Sequence, residues 1–166
     1  QNMIPRTQPM SYIARVTGGL GVSLGYALGV KLAQKERPVF VLIGDGGFGS
    51  NPSVVATAME AGLPVVWLVM DNAGFGTIAG LESMHYGPRF RCLFERCGKP
   101  YTVDYAAMAR ACGARGVMID AAADLGPALR EALASNLPTV IQAPMENAPT
   151  PTPGHWNIND IYRKGQ

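Results

Sequence analysis

Short apolar runs alternate with helical patterns along this chain of 166 residues. The runs at 39–43 and 65–70 are continuous, which is typical of strands buried on both faces of a sheet. Between them, Asn51 followed by Pro52 predicts a capped helix start, and Gly62 predicts the end of that helix. This stretch therefore predicts a strand, a helix and a second strand.

The alternation continues on both sides of this stretch. Small and apolar residues from Val22 to Lys35 form a helical pattern, and a short apolar run at 12–17 precedes it. Alternating strands and helices predict right-handed crossovers, so we expect an α/β fold: a three-layer, doubly wound parallel sheet with helices on both faces. Later in the chain, the pattern predicts a helix from Asp104 to Gly113, a strand at 117–119, a helix at 124–134 and a strand at 138–141.

Two segments interrupt the alternation. Residues 73–103 contain five glycines and two prolines, so we expect irregular structure of the kind that often carries function. From Pro144 onward, closely spaced prolines exclude regular structure. We therefore expect one domain over residues 1–143 and a Pro-rich C-terminal tail over residues 144–166.

Composition narrows the classes of partner. Hydrophobic residues make up 48% of the chain, so a hydrophobic core is expected. Charged residues make up only 16% and the net charge is +2, so we expect no electrostatic field that attracts nucleic acid or a membrane surface. No apolar run is long enough to span a bilayer. The cysteine spacing fits neither a disulfide framework nor a zinc site, so we expect free thiols and a cytoplasmic location. The cysteines are Cys92, Cys97 and Cys112.

Two polar motifs directly follow the two central apolar runs. Residues 44–47 read Gly-Asp-Gly-Gly, and residues 71–74 read Asp-Asn-Ala-Gly. In a parallel sheet both emerge at the carboxyl edge, where open α/β sheets bind ligands. The carboxylate of Asp45, the amide oxygen of Asn72 and backbone exposed by glycine suit Mg²⁺ and a diphosphate, and the helix expected near Asn51 adds a weakly positive pole. We expect Asp45 to face solvent, so that replacing it by alanine leaves the fold intact.

A different cofactor is also compatible with the glycines. Gly19, Gly21 and Gly25 follow a predicted strand in a GxGxxxG spacing, and Asp45 lies 20 residues further on, where a ribose-binding acid would stand. This interpretation predicts a nicotinamide-dependent oxidoreductase that binds NAD. It explains neither the glycines after Asp45 nor the motif at 71–74, and it stays open as an alternative.

The same residues carry a resemblance to a known enzyme family. Residues 44–47 followed by Asn72 resemble the thiamine-diphosphate signature, a GDG motif with an asparagine at the end of a later strand. Residues 18–29 are similar to the segment that holds the aminopyrimidine in benzoylformate decarboxylase and acetolactate synthase relatives. The chain thus resembles their C-terminal pyrophosphate-binding domain, and this implies thiamine diphosphate and Mg²⁺ as cofactors.

The resemblance implies roles for individual residues. Asp45, the Asn72 side chain and the Gly74 carbonyl would bind Mg²⁺, and Asn72 would thereby also hold the cofactor. The Gly18 carbonyl and the Leu20 amide would contact the aminopyrimidine, and the Leu20 side chain would bend the cofactor. The diphosphate would be contacted by the backbone amides of Gly46, Gly47 and Thr77.

The chain departs from the family pattern at three positions. Gly47 stands where serine is common, Asp71 where asparagine is common, and Val22 where phenylalanine is frequent. All implied magnesium ligands remain, because backbone groups or the following Asn72 do the binding. Only 17 residues precede Gly18, so we expect the first strand and helix of the domain to be absent.

The resemblance also implies a partner and a reaction. A glutamate on a separate pyrimidine-binding domain protonates the cofactor in this family, so we expect a partner domain or subunit that carries it, in a hetero- or homo-oligomer. The implied reaction is decarboxylation of a 2-oxo acid, with release of an aldehyde or ligation of the enamine to a second carbonyl. A non-catalytic assembly subunit is the other alternative. Candidate substrate contacts are His85, Thr77, Glu82 and Met84.

Overall fold

The computed structural model describes residues 19–87 and 92–147, except for the side chains of residues 84 and 85. A four-stranded parallel sheet forms the centre of the described part, and a small antiparallel hairpin stands beside it. In chain order the elements are α1 (Val22–Ala33), β1 (Val39–Gly44), α2 (Asp45–Phe48), α3 (Val54–Glu60), β2 (Val65–Asp71), α4 (Gly76–Tyr86), β3 (Glu95–Arg96), β4 (Lys99–Pro100), α5 (Tyr105–Ala111), β5 (Arg115–Met118), a 3₁₀ turn (Ala122–Asp124), α6 (Leu125–Ala134) and β6 (Thr139–Pro144).

The sheet has the strand order β1-β2-β6-β5, and every pair in it is parallel. Helices α1, α3 and α5 pack on one face, around the fully buried side chain of Trp67. Helix α6 packs on the other face, against Leu68 and Ile141. The expected three-layer α/β architecture with helices on both faces is therefore confirmed.

The register of the central strands places the two polar motifs side by side. Gly44 at the end of β1 pairs with Met70, and Asp71 at the end of β2 pairs with Pro144 of β6. Asp45 follows Gly44 directly, so it stands next to the end of β2 at the carboxyl edge of the sheet. Parallel pairing therefore brings together residues that lie far apart in the sequence.

The expectation of irregular structure over residues 73–103 is wrong in part. Helix α4 occupies eleven residues of this segment, and the hairpin β3–β4 occupies four more. The glycines misled the interpretation, because Gly76 is the first helical residue and Gly87 ends the helix with a positive φ of 76°. Such terminal glycines favour a helix boundary rather than an irregular chain.

The two predicted helix caps have different outcomes. Asp104 caps α5, because its Oδ1 accepts a hydrogen bond from the Ala107 amide at 2.6 Å. The cap predicted at Asn51 is wrong, because α3 begins at Val54 and the Asn51 Oδ1 accepts from the Ser53 hydroxyl at 2.6 Å. The first turn of α3 is instead closed by short-range backbone bonds to Asn51 and Pro52.

Three sequence predictions fall outside the described residues, namely the strand at 12–17, the role of Gly18 and most of the tail from residue 148 onward. Within the described ranges, none of the helices has the length and apolar character that crossing a membrane requires.

Candidate functional site

Three polar groups converge at the carboxyl edge of the sheet. The end of the Asn72 side-chain amide lies 3.1 Å from Asp45 Oδ1 and 2.9 Å from the carbonyl oxygen of Gly74. The Gly74 amide donates to the other carboxylate oxygen, Asp45 Oδ2, at 3.0 Å. The structure thus brings together Asp45, Asn72 and Gly74, as the alignment of β1 with β2 predicts.

The orientation of the Asn72 amide decides what this cluster can bind. With its NH₂ group toward Asp45 and Gly74, the side chain donates to both oxygens. With its oxygen in that position, the Asn72 oxygen faces the Asp45 and Gly74 oxygens at 3.1 and 2.9 Å. Neighbouring ligands of an octahedral Mg²⁺ ion, with Mg–O bonds of about 2.1 Å, stand about 3.0 Å apart. The donor set and its spacing therefore fit a small, hard divalent cation once the amide turns over.

The candidate cation site combines one carboxylate with an amide oxygen and a carbonyl oxygen. In the described part of the chain, no group of three His, Cys, Asp or Glu side chains is placed to hold a metal ion. Mg²⁺ needs few protein ligands, because phosphate oxygens and water complete its shell. A site with one carboxylate, one amide oxygen and one carbonyl oxygen is therefore suited to a cation that arrives with a diphosphate.

Asp45 is buried, with an exposed fraction of only 1%, so the expectation that it faces solvent is wrong. Burial raises the pKa of Asp45, and the neighbouring Asp71 carboxylate raises that pKa further. Hydrogen bonds from the Gly46 and Gly74 amides oppose this shift without cancelling it. Two carboxylates close together in a buried site are a strong attraction for a cation.

Gly46 has a packing role that the sequence did not reveal. A Cβ built on Gly46 would lie 2.4 Å from the ring of Phe75, which follows the second motif. The same ring packs edge-to-face on Phe94, with ring centroids 5.0 Å apart. Gly47 is constrained as well, because its Cβ would lie 3.0 Å from a side-chain carbon of Ile43. Phe75 thus joins the two motifs through a contact that only a glycine at position 46 permits.

Helix α4 begins inside the site. Its first residue, Gly76, comes two positions after Gly74, and Thr77 is exposed in the first turn. The first amides of a helix lack partners within the helix, so the Thr77 amide is available to an anion. Helix α4, rather than the helix expected near Asn51, therefore supplies the positive helix end next to the polar cluster.

The other predicted site residues lie in the turn before α1 or in α4. Leu20 lies in the turn before α1 with 57% of its surface exposed, and is not part of the hydrophobic core. His85 lies in the last turn of α4, but its side chain, like that of Met84, is outside the described atoms. Glu82 accepts a hydrogen bond from the Cys92 thiol at 3.4 Å.

Gln142 is a buried polar residue that the sequence analysis missed. The predicted strand at 138–141 stopped one residue short of it, whereas β6 continues to Pro144. Its amide donates to Asp71 Oδ2 at 2.7 Å, and Asp71 directly precedes Asn72 of the candidate cation site. The sequence did contain a signal, which was a glutamine within an apolar run. A buried amide needs specific hydrogen-bond partners, so such a glutamine indicates a polar contact inside the protein.

Similarity to known proteins agrees with this geometry. The family model described as "Thiamine pyrophosphate enzyme, C-terminal TPP binding domain" matches residues 1–143. The chain is 34% identical over 144 residues to 3D-(3,5/4)-trihydroxycyclohexane-1,2-dione hydrolase of Shouchella clausii, covering 84% of this chain and 22% of that protein. It is 32% identical over 127 residues to sulfoacetaldehyde acetyltransferase of Castellaniella defragrans, covering 76% of this chain and 20% of that protein.

Solved structures show the same relationship. Benzoylformate decarboxylase from Polynucleobacter necessarius superposes with a TM-score of 0.70 at 26% identity, covering 82% of this chain and 25% of that one. The 4-hydroxybenzoylformate decarboxylase of Rhodococcus jostii RHA1 superposes with a TM-score of 0.70 at 27% identity, covering 79% of this chain and 24% of that one. The chain therefore spans between a fifth and a quarter of the length of these relatives.

The fold and the site define an α/β domain that presents oxygen ligands and a helix N-terminus at the carboxyl edge of a parallel sheet. The chain belongs to the family of C-terminal thiamine pyrophosphate-binding domains of thiamine pyrophosphate enzymes. The predicted resemblance is thereby confirmed.

The contact between Gly46 and Phe75 gives a test by substitution. We expect Gly46→Ala to destabilise the chain by about 1–3 kcal/mol, because the new methyl group overpacks against the Phe75 ring. Gly29→Ala is the matched control, since nothing lies within 4 Å of a Cβ there, and alanine in the middle of α1 should stabilise by about 0.5–1 kcal/mol. Denaturant unfolding measures both, and equal effects of the two substitutions would contradict the packing role.

The raised pKa of Asp45 gives a test by pH. The folded chain without metal holds the Asp45 proton more tightly than the unfolded chain, so its stability falls as pH rises through the raised pKa. Asp45→Asn removes this loss, and we expect the variant to be more stable than the metal-free wild type at neutral pH but not in acid. Thermal unfolding across pH measures the difference. The exposed Asp120→Asn is the control, and an identical pH profile for both variants would refute the assignment.

Proposed function

We propose that the chain is the thiamine-diphosphate- and Mg²⁺-binding part of an enzyme that decarboxylates a 2-oxo acid and releases an aldehyde or ligates the remaining carbon unit to a second carbonyl. The observation that carries the proposal is the convergence of Asp45, Asn72 and the Gly74 carbonyl beside the start of α4. Family membership supports thiamine diphosphate as the cofactor.

The residues of the site divide the work of binding. Asp45, Asn72 and the Gly74 carbonyl would hold Mg²⁺, and the exposed Leu20 is free of core packing and would support the cofactor rings. When bound, thiamine diphosphate supplies the carbon nucleophile and the electron sink that cleavage next to a keto group requires. The buried position of Asp45 keeps water away and strengthens its hold on the cation. The diphosphate would rest on the amides of Gly46, Gly47 and Thr77, with the Gly46 amide shared between the diphosphate and the Asp45 carboxylate to which it donates.

The relatives support this class of chemistry and leave the reaction itself open. Their names describe a hydrolase, an acetyltransferase and two decarboxylases of 2-oxo acids. Because one type of domain serves several reactions, the residues at the carboxyl edge of the sheet are assigned to cofactor binding rather than to substrate choice. Decarboxylation and carboligation are the two outcomes that we propose, with His85 as a candidate substrate contact.

An exposed apolar face supports the proposal of a partner domain. The outward side of α1 exposes Val22, Tyr26 and Leu32 by 44–54%, and Gly25 and Gly29 lie between them with open space above. Contiguous exposed apolar surface marks sites of protein association. We propose that this side of α1 meets a pyrimidine-binding domain carrying the catalytic glutamate, in a hetero- or homo-oligomer.

The nicotinamide alternative is less well supported. A ribose-binding acid must present its carboxylate to the ligand. Asp45 is 1% exposed, accepts from the Gly74 amide and neighbours Asn72. Its surroundings therefore suit a buried cation better than a ribose hydroxyl. A non-catalytic assembly subunit would bind the same cofactor without turnover. An activity assay therefore distinguishes it from the enzyme.

The metal assignment predicts how cofactor binding responds to substitution. We expect the chain to bind thiamine diphosphate only when Mg²⁺ is present, and Asn72→Ala to weaken that binding by at least about tenfold, because it removes a ligand oxygen. Titration calorimetry with and without Mg²⁺ measures this. Asn51→Ala is the control, since Asn51 is exposed and its side-chain oxygen accepts a hydrogen bond from the Ser53 hydroxyl, away from the candidate cation site. Metal-independent binding, or binding of NADH instead, would contradict the proposal.

The partner assignment predicts which surface change blocks assembly and turnover. We expect Leu32→Glu to prevent complex formation with a pyrimidine-domain protein, because it places a charge on the apolar side of α1. Leu133→Glu makes the same change at an exposed position of α6 on the opposite face and should leave the complex intact. Size-exclusion chromatography measures assembly, and carbon dioxide release from a panel of 2-oxo acids measures turnover.

One result would count against the enzymatic part of this proposal, and another against the partner surface. If the assembled complex binds thiamine diphosphate but releases no carbon dioxide from any acid, the chain has an assembly role. If Leu133→Glu disrupts the complex and Leu32→Glu does not, the partner surface lies on the α6 face.

A further inference from the structure

Gln142 uses the whole hydrogen-bonding capacity of its amide in the interior of the protein. It is fully buried on β6. Its Oε1 accepts from the amides of Tyr105 and Ala106 at 2.7 and 3.2 Å, at the start of α5. Its Nε2 donates to Asp71 Oδ2 at 2.7 Å and to the Val103 carbonyl at 2.9 Å. An amide with four partners fixes its neighbours in one arrangement.

The contact with Asp71 connects Gln142 to the candidate cation site. The second oxygen of Asp71, Oδ1, accepts from the Ala73 amide at 3.2 Å. Ala73 has a φ of 55°, in the left-handed region that a residue with a Cβ seldom adopts. The next residue, Gly74, donates its amide to Asp45. The turn that carries the Gly74 carbonyl is therefore held in a strained conformation by two carboxylates, and Gln142 fixes one of them.

A second connection joins the same helix to the first motif. The Tyr105 hydroxyl donates to the backbone carbonyl of Asp45 at 3.3 Å, and the Tyr105 ring packs edge-to-face on Phe48. A Cβ on Gly49 would lie 2.5 Å from this hydroxyl, so Gly49 leaves the space that the contact needs. The start of α5 is thus tied to the cluster through both Gln142 and Tyr105.

We propose that Gln142 is a positioning residue that, through Asp71, holds the turn of residues 72–74 in the conformation that offers the Asn72 side chain and the Gly74 carbonyl to the cation. The cation part of this inference rests on the proposed function, whereas the effect on the turn does not. Among polar side chains of this size, glutamine both accepts from the α5 amides and donates to a carboxylate. A glutamate keeps the first property and loses the second.

Hydrogen exchange on the full chain tests the effect on the turn. Gln142→Met keeps the shape and removes all four hydrogen bonds. We expect the amides of Ala73 and Gly74, which Gln142 does not touch, to exchange at least roughly tenfold faster, as loss of a hydrogen bond to a charged group would cause. Thr139→Val is the matched control, because Thr139 is equally buried on β6 and its hydroxyl donates to the Leu137 carbonyl at 2.9 Å, at the other end of the strand.

Exchanging the two partner groups provides a rescue experiment. Gln142→Glu sets two carboxylates against each other, and Asp71→Asn sets an amide against the Gln142 amide, so each change alone should speed exchange at Ala73 and Gly74. The double variant D71N/Q142E restores an amide facing a carboxylate, and we expect slower exchange than in either single variant. The comparison is made in alkaline solution, because burial raises the pKa of a carboxyl group and favours its neutral form near neutral pH.

Each outcome decides for or against the positioning role. Faster exchange confined to Tyr105 and Ala106 in Gln142→Met would overturn it, since Gln142 would then only cap α5. Additive effects of the two single changes would overturn it as well. Calorimetry with Mg²⁺ and thiamine diphosphate separates this inference from the proposed function. If the wild type binds neither but Ala73 and Gly74 respond as expected, the positioning role stands and the cofactor assignment fails.

Discussion

The parallel pairing of β1 with β2 is the constraint on which the site depends. Its register sets Gly44 opposite Met70, so the chain leaves both strands at the same level of the sheet. Asp45 then stands beside the turn of residues 72–74, although 27 positions separate Asp45 from Asn72. A register shift of one residue would turn the strand side chains to the opposite faces and would separate the ligands. The apolar runs therefore specify the site as well as the core.

The second constraint is electrostatic. Asp45 and Asp71 are 1% and 3% exposed and lie close enough for each to act on the other. Without a cation this arrangement is unfavourable, because burial and the neighbouring Asp71 carboxylate both raise the pKa of Asp45. The surrounding structure offsets this with donors: the Gly46 and Gly74 amides reach Asp45, and the Gln142 amide reaches Asp71. The strain of the Ala73 backbone belongs to the same arrangement, since strained residues persist where neighbours determine their conformation.

The sequence predicted those parts that follow from periodicity and from the geometry of parallel sheets. The strands, the three layers, the Asp104 cap and the convergence of Asp45 with Asn72 belong to this group. Contacts between distant residues were out of reach, because nothing local distinguishes Gly46 below the Phe75 ring from a glycine in an open loop. Helix α4 was missed because glycines at its two ends, and Gly80 inside it, were taken as signs of irregular structure. The buried state of Asp45 was missed for a related reason, since a polar residue after a strand is usually exposed.

In the proposed site, one divalent cation binds between Asp45, Asn72 and the Gly74 carbonyl and carries a diphosphate with it. The most direct measurement is paramagnetic broadening of amide signals by Mn²⁺, which replaces Mg²⁺ in oxygen-rich sites, in the isotope-labelled chain with thiamine diphosphate. We expect the signals of Asp45 and residues 72–74 to broaden first and this selectivity to be lost without the cofactor. Broadening centred on exposed acids such as Asp120, or none at this edge of the sheet, would contradict it.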